Sequence, residues 1–375
     1  MHVSHVDAGL DRTPAAGLPV TTSLDFLWLE LTNRCNLRCV HCYTDSHPHA
    51  GDRDILTARD YDDVMRQAYD LGCRKLQFIG GEPQLNRNFH KLLVTAKTIG
   101  FDFIEVFSNL TQLDDETVCY AVQNGICFAT SVYSDEAGAH DAITQVKSSH
   151  ARTIRNLKRL IDRGIETRAA TIVIDQDRTA VERTVQFLQE LGVGRVRSSQ
   201  TREFGRGEQV LSRPARLEGL CGHCWSGKLC VAPDGVAYPC VMARHWPVGN
   251  VLETPLGDIV AGRSLEAMRE TIFESVWLPK IEASKSGGGK KDKSKKDKGR
   301  KDKGKKDKGK KDKGKKDKDK DTGKGKGESK QPLGDAKTKA EECFPCPQSC
   351  VPDTVPPKCP QSCVPFPATA CDPGD

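Results

Sequence analysis

Residues 26–44 read FLWLELTNRCNLRCVHCYT. A short run, apolar but for one Glu, has the length of a buried strand, and three cysteines follow within eight residues: Cys35, Cys39 and Cys42. Three thiols cannot be paired off into disulfides. Structural zinc takes four ligands, usually as separated pairs, and His41 beside Cys42 is badly placed to be the fourth. An iron–sulfur cube, by contrast, can be held by thiolates from one short loop. Gripped by three, it keeps one iron open for another ligand. The location agrees, because parallel α/β architectures place their chemistry on loops at the carboxyl ends of strands. Zinc, or three incidental cysteines, is the competing reading.

Outward from this loop, strands and helices alternate. Strand-like runs lie at 26–31, 76–80, 103–108, 127–134, 168–174 and 194–199, with helical patterns between them. In the first helix Tyr61, Val64, Met65, Ala68 and Leu71 fall at helical spacing. Thr57 with Asp60 reads as its start and Gly72 as its stop. Such alternation predicts an α/β fold with a parallel sheet between helices. Six units are too few for an eightfold barrel, so a partial TIM-type (β/α)6 barrel over residues 25–208 is expected, preceded by an arm, 1–24. From about residue 215 to 282 the texture changes to Cys, Gly and Pro with short strand-like pieces, which reads as a small Cys-rich domain.

The formal charge of +6 is misleading. Residues 285–330 hold 22 Lys and one Arg against eight Asp and one Glu, a surplus of +14 that leaves the rest of the chain at −8. That tract, with its near-repeat KKDKG, reads as a disordered, solvated linker over 283–335. A tether for nucleic acid or membrane is the sharper alternative. No basic, aromatic-interleaved face appears elsewhere, so no nucleic-acid partner is expected. No run of eighteen apolar residues and no signal-peptide pattern at the N-terminus point to a cytoplasmic protein without membrane contact. In that reducing setting, sixteen clustered cysteines read as metal ligands before disulfides.

The sequence CNLRCVHCY, followed at the end of the second strand by FIGGEP, resembles the CxxxCxxC and GGE motifs of the radical S-adenosylmethionine (radical SAM) enzymes. The resemblance implies that Cys35, Cys39 and Cys42 hold a [4Fe–4S] cluster whose open iron takes SAM. One electron then yields methionine and a 5′-deoxyadenosyl radical that abstracts a substrate hydrogen. Gly80 and Gly81 would let backbone carbonyls approach the SAM ammonium, and Glu82 would offset its charge. His41 would lie beside the adenine, while Ser108, Asn109 and Ser131 fall where family members contact SAM. For these three, ordinary strand-end turn chemistry is the alternative. The family also implies a one-electron reductase such as flavodoxin or ferredoxin.

CGHCWSGKLCVAPDGVAYPC, residues 221–240, with VGNVLETPLGDIVAG after it, resembles the SPASM extension that carries auxiliary [4Fe–4S] clusters. Cys221, Cys224 and Cys240 are its candidate ligands. The expected C-x2-C-x5-C-x3-C block is displaced into a tail, 336–375, where Cys343, Cys346, Cys350, Cys359 and Cys363, then Cys371, depart from that spacing. One auxiliary cluster is therefore expected, and a second only if the tail folds back. Zinc binding, labile disulfides or an unstructured tail are the other readings of CPQSC. Cys73, Cys119, Cys127 and Cys230 read as small buried hydrophobes, any of which could instead donate a hydrogen atom. The resemblance implies maturation of a ribosomally made peptide, by crosslinking or epimerisation. No leader-binding domain is recognisable in the first 25 residues, so a separate leader-recognition protein would be a partner. Radical chemistry on an amino sugar or other small molecule is the alternative, and a non-catalytic iron–sulfur carrier the third reading.

Overall fold

The structure is a computed structural model and describes residues 23–175 and 177–287. Its first half alternates as expected: β1 (Leu24–Glu30), α1 (Ala58–Asp70), β2 (Lys75–Ile79), α2 (Phe89–Ile99), β3 (Phe103–Phe107), α3 (Asp115–Asn124) and β4 (Cys127–Ser131). Two helices, α4 (Ala137–Thr144) and α5 (Ser149–Asp162), precede β5 (Thr167–Val173), α6 (Arg178–Glu190) and β6 (Arg195–Gln200). These six strands pair in chain order, every pair parallel. A strand covered on both faces needs apolar residues on both, and β1 meets this with Leu24, Phe26, Leu27 and Leu29 all buried. Each fully buried Leu or Phe here contributes roughly 1.5–3 kcal/mol of transfer free energy.

The first helix begins where the sequence says. Thr57 accepts from the Asp60 backbone N–H, and Asp60 accepts from that of Thr57, a closed capping box. Tyr61, Val64, Met65 and Ala68 form its buried stripe. By contrast α4, sequence AGAHDAIT, carries little helical signal. It is fixed by burial of His140 and Thr144 and by its last carbonyls, which accept bonds from the cysteine loop.

The Cys-rich module continues the same sheet. After α7 (Arg206–Leu211) come β7 (Gly227–Val231), β8 (Val236–Tyr238) and β9 (Gly249–Asn250). Helices α8 (Leu256–Val260) and α9 (Arg263–Ile272), a π-helical turn Phe273–Trp277 and α10 (Leu278–Gly287) follow. β7 pairs parallel with β1, Trp28 opposite Cys230, and β8 and β9 extend antiparallel from it. The strand order is β6-β5-β4-β3-β2-β1-β7-β8-β9. The sheet does not close on itself, so the barrel is partial. Because β7 lies directly against β1, the second module stands beside the loop that β1 feeds.

Candidate active site

The loop after β1 is held on three sides. From α4, Thr144 O accepts from Arg38 N at 3.0 Å and Ile143 O from Val40 N at 3.0 Å. From β2, Gly81 N donates to Thr32 O at 2.7 Å and Glu82 N to Arg34 O at 2.8 Å. A side chain on Gly81 would place its Cβ 2.2 Å from Arg34 O, and one on Gly80 would lie 2.6 Å from Thr32 O. The two glycines are thus required by the loop's own backbone.

The third side comes from beyond β6. Arg206 donates from Nε to Cys39 O at 2.8 Å, from its backbone to Cys42 O at 2.9 Å and from Nη2 to Ser46 O at 2.9 Å, and pairs with Asp45. Gly205, at φ +56, lies so close that a Cβ would fall 2.4 Å from Cys42 O. Sequence reading missed this clamp. Its only signal was the Gly-Arg-Gly at 205–207 directly after the last barrel strand.

Each of the three sulfurs has a polar neighbour. Leu37 N and Asn109 Nδ2 donate to Cys35 Sγ at 3.4 and 3.7 Å. Tyr133 Oη lies 3.8 Å from Cys39 Sγ and Thr44 Oγ1 3.2 Å from Cys42 Sγ. Burial, then the charge of Glu82, pushes the Cys35 thiol far above its ordinary range. Burial and then Cys42 push Cys39 up to about 12. Without a cation these thiols stay protonated; a bound iron cluster would supply the positive charge that holds them as thiolates. Among the described residues no three His, Cys, Asp or Glu side chains converge on a single-ion site. A cube spreads its thiolates over separate corners, which three cysteines of one short loop can supply. The residues present fit a cluster.

The other predicted residues gather at the neighbouring strand ends. Glu82 is 1% exposed, and its carboxylate accepts from Ser108 Oγ at 2.9 Å, Asn109 N at 2.8 Å and Gln84 N at 3.3 Å. Burial raises its pKa while those donors hold it down. It is a brace joining β2 to β3, and a bound ammonium would have to share it. Asn109 links that brace to Cys35 and Asn36. Ser131, the last residue of β4, bonds Tyr133, whose ring meets His41 edge-on at 4.9 Å between centroids. Burial and then the Arg206 charge lower the His41 pKa to about 4, so the imidazole is neutral at physiological pH. Its Nδ1 is buried without a hydrogen-bond partner, which fits a group awaiting a ligand's polar atom.

In the second module Cys224, Cys230 and Cys240 pack into one buried cluster with Phe204, Leu220 and Tyr238, and Cys221 lies beside Cys224. Cys240 accepts from the Cys224 thiol and from backbone N–H groups of Met242 and Ala243, which favours its thiolate. Cys230, read from the sequence as a small buried hydrophobe, is indeed buried in this apolar cluster, near Cys240. Cys73 and Cys127 are buried within the barrel and Cys119 is half-buried on α3. The tail cysteines from Cys343 to Cys371 lie outside the described residues.

Tyr43 bridges the two modules. Its ring packs on the Cys224–Cys230–Cys240 cluster, and its hydroxyl donates to Glu30 Oε1 at 3.3 Å. Burial, then the nearby Cys230, Cys42 and Cys240, drive the phenol pKa well up, so it is protonated. Glu30, fully buried at the end of β1, forms an ion pair with Arg244 of the second module. Burial lowers the Arg244 pKa to about 10.

The described chain is thus a partial parallel barrel with a three-cysteine loop at its first strand end and a cysteine module on the same sheet. Two family models agree: the Radical SAM superfamily matches residues 29–188, and an iron–sulfur cluster-binding domain, SPASM, matches residues 221–280. The chain belongs to the radical SAM superfamily, with a SPASM extension, and its cofactors are SAM and [4Fe–4S] clusters. The subtilosin biosynthesis protein AlbA of Bacillus subtilis strain 168 is 28% identical over 186 residues, 48% of this chain and 40% of that protein. The sporulation killing factor maturation protein SkfB of the same strain is 24% identical over 315 residues, 75% of this chain and 73% of that one. The match to AlbA thus spans less than half of AlbA's length. Among solved structures, Streptococcus suis SuiB bound to its precursor peptide SuiA has TM-score 0.55 at 16% identity, covering 66% of this chain and 67% of that one. At that identity the likeness is one of fold. No helix among the described residues is long and apolar enough to cross a membrane.

Proposed function

We propose that this chain matures a ribosomally made peptide, forming a thioether or carbon–carbon crosslink or inverting a residue. When bound, a [4Fe–4S] cluster with SAM on its open iron supplies one-electron cleavage of the sulfonium and a radical that takes hydrogen from the substrate. Cys35, Cys39 and Cys42 would hold that cluster. Arg206 and α4 keep the loop rigid, Asn109 and Tyr133 give hydrogen bonds to its sulfurs, and neutral His41 offers Nδ1 to the nucleoside. Cys221, Cys224 and Cys240, with Cys230 as the fourth, would hold one auxiliary cluster. The tail cysteines Cys343, Cys346, Cys350, Cys359 and Cys363 are candidates for a second.

The observation that carries the peptide reading is a cleft of about 1140 Å³ where the barrel stays open. It lies between the end of β6 and the second module, and its lining includes Arg202, Glu203, Arg213, Arg216 and Trp246. It is broad and of mixed polarity, charged side chains alternating with Pro214, Ala215, Leu217 and Trp246, as suits an extended chain more than a small apolar ligand. The matured products named for AlbA and SkfB, and the precursor bound to SuiB, support the same class. An acidic one-electron carrier would feed the cluster, and leader binding by a separate protein would complete the system, in the reducing cytoplasm. Anaerobic incubation with SAM, reductant and candidate short peptides encoded near this chain's gene tests the reading. A product lighter by two hydrogens, or one of equal mass in ordinary water that gains one deuterium in heavy water, is expected. SAM cleavage with every neighbouring peptide unchanged, but with turnover of an amino sugar, would overturn it.

A further inference from the structure

The cysteine loop reaches the surface at Arg38, an exposed residue between Cys35 and Cys39. Arg38 N and Val40 N are bonded to the end of α4, so the turn from α4 to α5 lies against the loop. That turn presents exposed Lys147, and Arg152 reaches back to donate to Lys147 O at 3.3 Å. Arg155, three residues on along the same face of α5, is exposed too. Among the described residues none of these four cations forms an ion pair with a carboxylate. Several cations on other helices do have carboxylate partners: Arg59 with Asp63, Arg66 with Asp62, Lys158 with Asp162, Arg178 with Glu182. The nearby carboxylate, Asp141, is occupied by the backbone N–H groups of Ser148 and His150 and by Ser149 Oγ. A chain that is acidic outside its lysine tract therefore carries an unanswered positive face directly over the loop proposed to hold its reducible cluster.

We infer that this face, Arg38 with Lys147, Arg152 and Arg155, docks an acidic one-electron carrier protein that reduces the cluster. The inference rests on the proposed function above. One electron leaves the carrier, which is oxidised by one equivalent, and enters the cluster, which is reduced by one; no bond in this chain is made or broken. Complementary charge steers encounter and raises the association rate by roughly 10–10³-fold at low salt. Docking here sets the carrier against the backbone on either side of Cys39, whose Arg38 and Val40 N–H groups bond the end of α4.

The test uses the full-length, cluster-loaded chain, with reduced flavodoxin as the probe and dithionite as a small-molecule control. Lys147 and Arg155 touch no proposed ligand, so Lys147→Glu with Arg155→Glu should leave dithionite-driven SAM cleavage within about twofold of wild type. Flavodoxin-driven reduction should slow by about tenfold or more at low salt and lose most of its decline with rising salt. Should the double reversal not fold, Lys147→Gln with Arg155→Gln should give the same pattern at about threefold. Unchanged flavodoxin kinetics and salt dependence in these variants would overturn the docking face and direct attention to the lysine tract. Absence of SAM cleavage by wild type with dithionite would instead remove the function on which the inference rests.

Discussion

Gly81 stands closer to the backbone of the cysteine loop than any side chain allows. Gly81→Ala must push Arg34 O away from a Cβ at 2.2 Å, which we expect to cost about 1–3 kcal/mol and to lower the iron bound on reconstitution. Urea unfolding and iron per chain measure both; wild-type values for each would contradict this packing. His140 makes a second residue-scale prediction. Burial, then the neighbouring His150, lowers its pKa from 6.5 to about 4. The unfolded chain takes up the proton first, so stability is complete above pH 6.5 and is lost as pH falls toward 4. At pH 5 this single residue accounts for about 2 kcal/mol. Urea midpoints at pH 7.5 and 5 should therefore differ less in His140→Asn than in wild type, and an equal difference would refute the assignment. The cysteines, the Gly-Gly-Glu and the strand-end Ser108 and Asn109 were legible because short motifs keep their spacing in any fold. Tyr133, 94 residues from Cys39, and Arg206, 167 residues from it, were not, because only tertiary structure brings them there.

Helix α1 announced itself through Thr57, Asp60 and a stripe at helical spacing, since its local and tertiary preferences agree. Helix α4 did not. With Gly138 and few large apolar residues it forms because the cysteine loop and α5 pack on it, and it in turn braces that loop. The join between β1 and the second module was likewise hidden: nothing in the spacing of Glu30 and Arg244 says that they meet. Arg244→Ala leaves the fully buried Glu30 carboxylate without its cation and with the Tyr43 hydroxyl as a remaining donor, which should cost about 3–5 kcal/mol. Combining it with Glu30→Gln should recover much of that loss, as urea unfolding of the four-member cycle will measure. Additive losses would mean that the pair does not couple the modules.

For the whole molecule, the sequence made readable a six-unit parallel array with a Cys-rich appendage, because alternation and composition are global signals. It did not show that the appendage extends the same sheet through β7, which rests on a backbone pairing between strands some 200 residues apart. That pairing sets Cys230 opposite Trp28 and brings Cys224, Cys230 and Cys240 into one buried cluster with Cys221 beside Cys224, the proposed ligands of an auxiliary cluster, without the tail. A chain ending after residue 287 should therefore keep iron for two clusters by Mössbauer spectroscopy, and a drop to one would place the tail cysteines among the ligands. The most direct test of the whole account is electron paramagnetic resonance of the anaerobically reduced full-length protein, with and without SAM. We predict a [4Fe–4S] signal, lost when Cys35, Cys39 and Cys42 are replaced by Ala, that changes on adding SAM as 5′-deoxyadenosine accumulates. A signal indifferent to SAM, with no 5′-deoxyadenosine formed, would contradict it.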